Sequence, residues 1–170
     1  MNRQIKLALT LLIGAMLVTV SPRAAELTAK MPQLKEKTEQ LYINYKLLDD
    51  LYKDVRKVAG AYIYQSDQQL NYVQKAALYI NEARLTSYYQ WQMLSVIEYI
   101  KPAYLEDYFI LRQKDLHKAK KDLNFLITLL DLYSTYIENQ AALKPVDEAV
   151  AHIKGTIYLF EGLIQMLSAK

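Results

Sequence analysis

Between Leu105 and Ile137 the apolar residues recur at alternating intervals of four and three: Leu105, Phe109, Leu116, Ala119, Leu123, Leu126, Leu130, Tyr133 and Ile137, with Arg112 the one charge on the line. That spacing puts all ten residues on a single face of a helix. At 1.5 Å per residue such a helix is about 50 Å long, and its seam finds shelter only along other helices of similar length. The chain is thereby committed to long helices packed side by side.

Three further stretches supply the partners. Leu34, Thr38, Leu41, Tyr45, Leu48, Tyr52, Val55, Ala59 and Tyr62 repeat the four-three spacing, with Leu51 and Val58 beside them. Pro32 suits the first turn of a helix, where its missing N–H costs nothing, so the first helix is predicted near 32–64. Gly60 lies inside it or marks an early end. Ser66 followed by Gln69 has the pattern of a capping box, which predicts a tight turn and a second helix near 67–100. Its seam is Leu70, Val73, Ala77, Ile80, Arg84, Ser87, Trp91 and Leu94.

Pro102 disfavours helical geometry in the residue before it, predicting a hairpin at about 100–104 and a third helix near 103–140. With no Gly at that turn, a kinked continuous helix is the alternative. Pro145 is read as the first residue of a fourth helix near 145–168, carrying Val146, Val150, Ile153, Ile157, Phe160, Ile164 and Leu167. Four seams of one period joined by short connections predict an all-α fold. The expected form is an up-down-up-down four-helix bundle over residues 26–170, with coiled-coil-like packing.

Residues 1–25 have the layout of a secretory signal peptide. Arg3 and Lys6 precede an uncharged apolar run from Leu7 to Val20, too short for a spanning helix of about 20 residues. Removal near Ala24 or Ala25 is expected, with an uncleaved anchor as the alternative. Export to the periplasm or the extracellular space follows. The chain has no Cys, so lipidation of a leader cysteine, disulfides and thiolate metal sites are excluded. The formal charge of +3 belongs to this leader, because beyond residue 25 the 18 basic residues are matched by 18 acidic ones. A neutral body offers no global field for phosphates, and nucleic acid is not expected as a partner.

No catalytic or cofactor motif stands out, and the chain is read as a non-enzyme without a metal or cofactor. A di-iron bundle needs paired Glu-x-x-His spacings, and neither His117 nor His152 has a Glu three residues before it. Both histidines fall off the seams and are expected at the surface. The basic group Lys114, His117, Lys118 and Lys121 is expected to be a solvated helix face diluted by Asp115 and Asp122.

Two groups of residues remain as candidates for binding. Arg84 and Arg112 are charges on apolar seams and must be paired if buried, Arg84 with Asp50 or Asp122. Together with Tyr45 and Tyr52 they form the polar contacts of an interior ligand site, should the bundle carry a small ligand or cofactor. The chain also holds 15 Tyr against three Phe, and Tyr88, Tyr89, Trp91, Tyr99 and Tyr104 gather on both sides of Pro102. Tyr and Trp combine contact area with a polar tip and are enriched at interfaces, so these five are the candidate anchors. The leading expectation is an exported, non-catalytic bundle that binds a protein partner or an envelope surface through its aromatic end. The membrane enters as a partner only if the leader is retained. Fusing residues 1–30 to a reporter active only outside the cytoplasm should give signal. A cytosolic, unprocessed protein in fractionated cells contradicts the leader.

Overall fold

The computed structural model describes residues 22–62 and 67–168. Within them lie four helices and no strand: α1 (Pro22–Tyr62), α2 (Asp67–Ser95), α3 (Pro102–Ser134) and α4 (Gln140–Leu167), with one 3-10 turn at Ile97–Tyr99. Positions 1–21 of the predicted leader, residues 1–25, lie outside the described residues, and its expected boundary at residue 25 falls inside α1.

Side-chain pairings give the topology directly. Tyr42 meets Trp91 and Asp49 meets Arg84, so numbers rise along α1 as they fall along α2. The same opposition holds between α2 and α3, where Tyr72 meets Tyr136 and Tyr108 meets the Met93 carbonyl. It holds again between α3 and α4, through Gln113 with Ser168 and Lys120 with Glu161. α1 packs on α2 and α4, α3 packs on the same two, and the diagonal pairs barely touch. Consecutive antiparallel neighbours closing into a square make the up-down-up-down bundle.

The seams form one core. Leu34, Leu41, Leu48 and Val55 from α1, Val73 and Ile80 from α2, Leu116, Leu123 and Leu130 from α3, and Val146, Ile153 and Phe160 from α4 are at most 3% exposed. Three polar residues on these faces satisfy themselves on the turn behind: Thr38 donates to the Leu34 carbonyl (2.8 Å), Ser87 to Ala83 (2.9 Å) and Thr156 to His152 (3.1 Å). A hydroxyl that bonds its own helix can be buried without desolvation loss. On α4 the buried face is broader than a heptad reading implies. Leu159 and Leu163 share the core with Thr156, while Ile157 is only half-buried.

Both internal prolines sit where a helix continues through them. α1 starts at Pro22 instead of near 32, because Leu27 is buried and Met31 packs on the core, extending the four-three spacing upstream. Pro32 deletes one backbone hydrogen bond at a cost of about 3 kcal/mol, which the burial of Leu27 largely offsets at about 2 kcal/mol. α3 ends at Ser134, short of the expected 140, and α4 starts at Gln140, ahead of Pro145. The start is set by Asn139, whose side chain accepts from Ala141 N at 2.7 Å, and by Ala142, which is fully buried. Ile137 keeps its seam position without being helical, 5% exposed in the turn between α3 and α4.

Of the expected capping box, Ser66 lies outside the described residues, and Gln69 reaches across the bundle to that same turn. Its amide donates to the Tyr136 carbonyl at 3.0 Å and accepts from Glu138 N at 3.2 Å. At the other end the hairpin is confirmed. α2 stops at Ser95, the 3-10 turn follows, and Pro102 opens α3 with Lys101 as its cap in extended conformation.

Leu123→Ala should lower stability by roughly 2–5 kcal/mol through lost burial and a residual cavity. Gly60→Ala should do the reverse, because a Cβ there meets nothing within 4 Å and α1 continues past it. A gain of about 0.5 kcal/mol is expected. Urea titrations followed by circular dichroism measure both, and a loss of stability in Gly60→Ala would contradict the open space beside the glycine.

Candidate functional site

The aromatic residues do assemble, though with partners drawn from α1. Where α2 approaches its C-terminus, Trp91 packs on Tyr42 at 4.6 Å between ring centroids, and Tyr88 packs on Tyr45 at 4.9 Å. Tyr88 also contacts Trp91 (5.6 Å) and Tyr89 (6.0 Å), and Tyr42 contacts Tyr45 (5.9 Å). All five contacts are tilted, within the range at which the ring quadrupoles attract. Tyr89 is 55% exposed and Tyr42 39%, so the cluster is packed at its base and open at its top. Tyr99 and Tyr104 are exposed but stand outside this ring network.

Trp91 connects the rings to an apolar groove of about 490 Å³ between the first turns of the α1 seam and the end of α2. Met31, Leu34, Leu94 and Ile97 form its apolar surface, and Lys35, Glu39 and Glu98 supply its charges. Among the described residues Glu39 and Glu98 make no ion pair. Groove and rings together form one continuous surface on the α1–α2 side of the bundle. The volume lies in the range of sites that take a small ligand or an anchoring side chain.

Of the residues proposed for an interior ligand site only Arg84 and Tyr52 meet, and each of the four is engaged by a neighbouring side chain. Arg84 pairs with Asp49 at 2.5 Å, not with Asp50 or Asp122, and its Nε and Nη2 donate to Asn81 Oδ1 at 3.1 and 2.8 Å. Asp50 and Asp122 instead pair outward, with Lys53 and Lys118. Tyr52 lies under the Arg84 guanidinium at 5.2 Å, a cation–π contact, and Tyr45 belongs to the aromatic cluster. Arg112 is 8% exposed, pairs with Asp115 on its own helix at 2.8 Å and stacks over the Tyr108 ring at 5.1 Å. Burial pushes the Tyr108 hydroxyl up from its ordinary pKa, partly countered by Arg112.

A second group of rings lies at the opposite end of the bundle. Tyr72 and Tyr79 of α2 meet Tyr133, Tyr72 stacks on Tyr136 at 5.2 Å, and the Lys75 ammonium sits 5.8 Å over Tyr133. Burial, and then the neighbouring Tyr133, pushes the Tyr79 hydroxyl up. Sequence spacing gives Tyr133 and Tyr136 no link to Tyr72, because the pairing depends on the α2–α3 register.

His117 is exposed and His152 half-buried. Among the described residues no three His, Asp or Glu side chains converge on a position able to hold a metal, and no helix is long and apolar enough to cross a membrane. Comparison with known proteins finds no family model, no curated protein and no solved structure that matches the chain.

Asp49 is the polar hub of the α1–α2 contact. The Lys53 ammonium, at 2.6 Å, and then Arg84 hold its carboxyl below the usual range, against the opposing effect of burial. A depressed pKa means the stabilisation is present above the unfolded value of about 4 and disappears as pH falls through the folded value. Asp49→Asn should cost about 1–3 kcal/mol at pH 7, because Arg84 then loses its counter-ion while partly buried. The gap between wild type and variant should narrow as pH drops below about 4. Thermal melts from pH 7 to acid measure it, and a gap that does not change with pH argues that Asp49 is not ionised in the folded chain.

Proposed function

We propose that the chain is an exported, non-catalytic helical bundle that binds a protein partner through the α1–α2 groove at its Pro102 end. The observation that carries the reading is the continuity of the groove with the ring cluster. Apolar Met31, Leu34, Leu94 and Ile97 run through Trp91 into Tyr42, Tyr88 and Tyr89, whose outer rings stay open to solvent. Leu34, Leu94 and Ile97 are at most 3% exposed and form the floor of the groove, so an incoming side chain would pack against half-buried Met31 and Trp91 and the outer tyrosines, and Trp and Tyr dominate interface energetics. The groove carries Glu39 and Glu98 against a single Lys35. Its complement is an apolar anchor flanked by Lys or Arg. Tyr99 and Tyr104, exposed on the following turn and the start of α3, lie at the same end of the bundle but outside the ring network.

Tyr89 is the most informative position, being open enough to remove without unpacking the core. A photo-cross-linker at Tyr89 in the native host should trap a discrete partner, whereas one at Tyr158 of α4, 72% exposed, should not. Tyr89→Ala should leave the melting temperature nearly unchanged and weaken capture of that partner by about thirtyfold, the equivalent of 2 kcal/mol. Equal trapping at both positions, or unchanged capture by Tyr89→Ala, defeats the proposal.

A further inference from the structure

The outer face of α3 carries a second organised stripe. Two residues on from each of six seam positions, about 200° round the helix, stand Leu111, Lys114, Lys118, Lys121, Phe125 and Leu132, all exposed. Phe125 is 62% exposed, Leu111 50% and Leu132 49%, an unusual display of large apolar side chains opposite a seam. Three lysines fill the middle of the stripe. Among the described residues Lys114 and Lys121 have no carboxylate within ion-pair distance, and Lys118 pairs only with exposed Asp122 at 3.0 Å. Asp115 beside the lysines is held by Arg112, and exposed Asp107, two residues on from Leu105, lies at the N-terminal end of the stripe, a turn beyond Leu111. Beside the lysines runs a shallow crease lined by His117, Lys118, Lys120, Lys121 and Asn124, none of them acidic.

We infer that this stripe is a docking face for an anionic phospholipid surface. Lysine stems cover apolar surface while their ammonium groups reach the headgroup phosphates, and Leu111, Phe125 and Leu132 enter the boundary of the acyl chains. The centre of the stripe suits lipid better than protein, since the cores of protein interfaces are depleted in Lys. The body is neutral only with these three lysines counted and carries a net −3 without them, so attraction to an anionic surface arises locally from this face. α3 lies diagonally across the bundle from α1. A chain resting on α3 therefore turns the α1 side of the groove away from the bilayer. The inference does not depend on the groove reading.

The chain has no Cys, so Thr128→Cys provides a single labelling site on the stripe. Its hydroxyl bonds only back to Asn124 O at 3.2 Å, within its own helix. An environment-sensitive fluorophore there should brighten and shift to the blue on vesicles of phosphatidylglycerol and phosphatidylcholine. It should not respond to phosphatidylcholine alone, and added salt should reverse the change. The same label at Ile43→Cys on α1 should stay silent, and Tyr89→Ala should not alter the response. At about fivefold per lysine, Lys114→Ala/Lys118→Ala/Lys121→Ala should weaken vesicle affinity on the order of a hundredfold. Phe125→Ser should weaken it about tenfold. Should the triple variant fail to fold, Phe125→Ser and the salt titration decide. A silent label at residue 128 in a chain that still binds vesicles overturns the inference, as does an equal, salt-insensitive response on neutral lipid. A response that grows with protein concentration in the absence of vesicles assigns the stripe to a second copy of the chain instead.

Discussion

Where α2 faces the core it presents Ala76, Ala77, Ala83 and Ser87, side chains too short to hold a neighbouring helix away. α1 and α2 make the most extensive helix contact in the bundle. Helix separation follows the side chains at the contact, so small residues on one face require large ones around it to fill the remaining space. The large residues are the rings. Tyr42, Tyr45, Tyr52, Tyr88 and Trp91 line the flanks of this contact, half-buried or exposed, where a phenol or indole can bury its body and keep its polar tip in water. The aromatic surface is thus a consequence of how closely the two helices dock. The Asp49–Arg84 pair crosses the same contact, and Tyr52 beneath Arg84 shields it.

Burial also decides where the helices begin and end. Pro32 and Pro145 both lie inside helices, and in each case the turn ahead of the proline brings a residue into the core: Leu27 ahead of Pro32, Ala142 ahead of Pro145. Proline removes one hydrogen bond and strains one turn, but a long helix held along its whole length by tertiary contacts tolerates that loss. The turn between α3 and α4 is governed from outside itself. Ile137 is anchored in the core, and the Gln69 side chain serves two backbone groups around it, Tyr136 O and Glu138 N.

The two proposed surfaces divide the molecule by chemistry. On the α1–α2 side, rings and apolar side chains meet Glu39 and Glu98, which make no ion pair among the described residues, and one lysine, a combination suited to a protein anchor. On the outer face of α3, three lysines in succession are flanked by isolated large apolar residues, a combination suited to a charged interface with an apolar interior. A four-helix square gives each helix one outward face, so a chain with a fully occupied core can carry separate surfaces without either compromising stability.

The sequence by itself determined the class of fold and most of the core. Leu105, Phe109, Leu116, Leu123 and Leu130 are buried as their spacing requires, because a position on a long helix is set by the 3.6-residue turn and little else. Even Arg112 takes its seam position, buried and paired. What only the tertiary structure decided is everything that depends on the register between helices. Spacing within α2 does not reveal that Trp91 meets Tyr42, that Arg84 meets Asp49 and not Asp50, or that Tyr72 stacks on Tyr136. It also leaves Tyr99 and Tyr104 grouped with Tyr88 by nearness in sequence, although Tyr88 meets Tyr89 and Trp91 of its own helix and Tyr45 of α1. A helical period fixes the direction in which a side chain points around its own axis, while the residue it meets depends on how far the neighbouring helix has slid along that axis. The slide is set by the packing of all four seams at once.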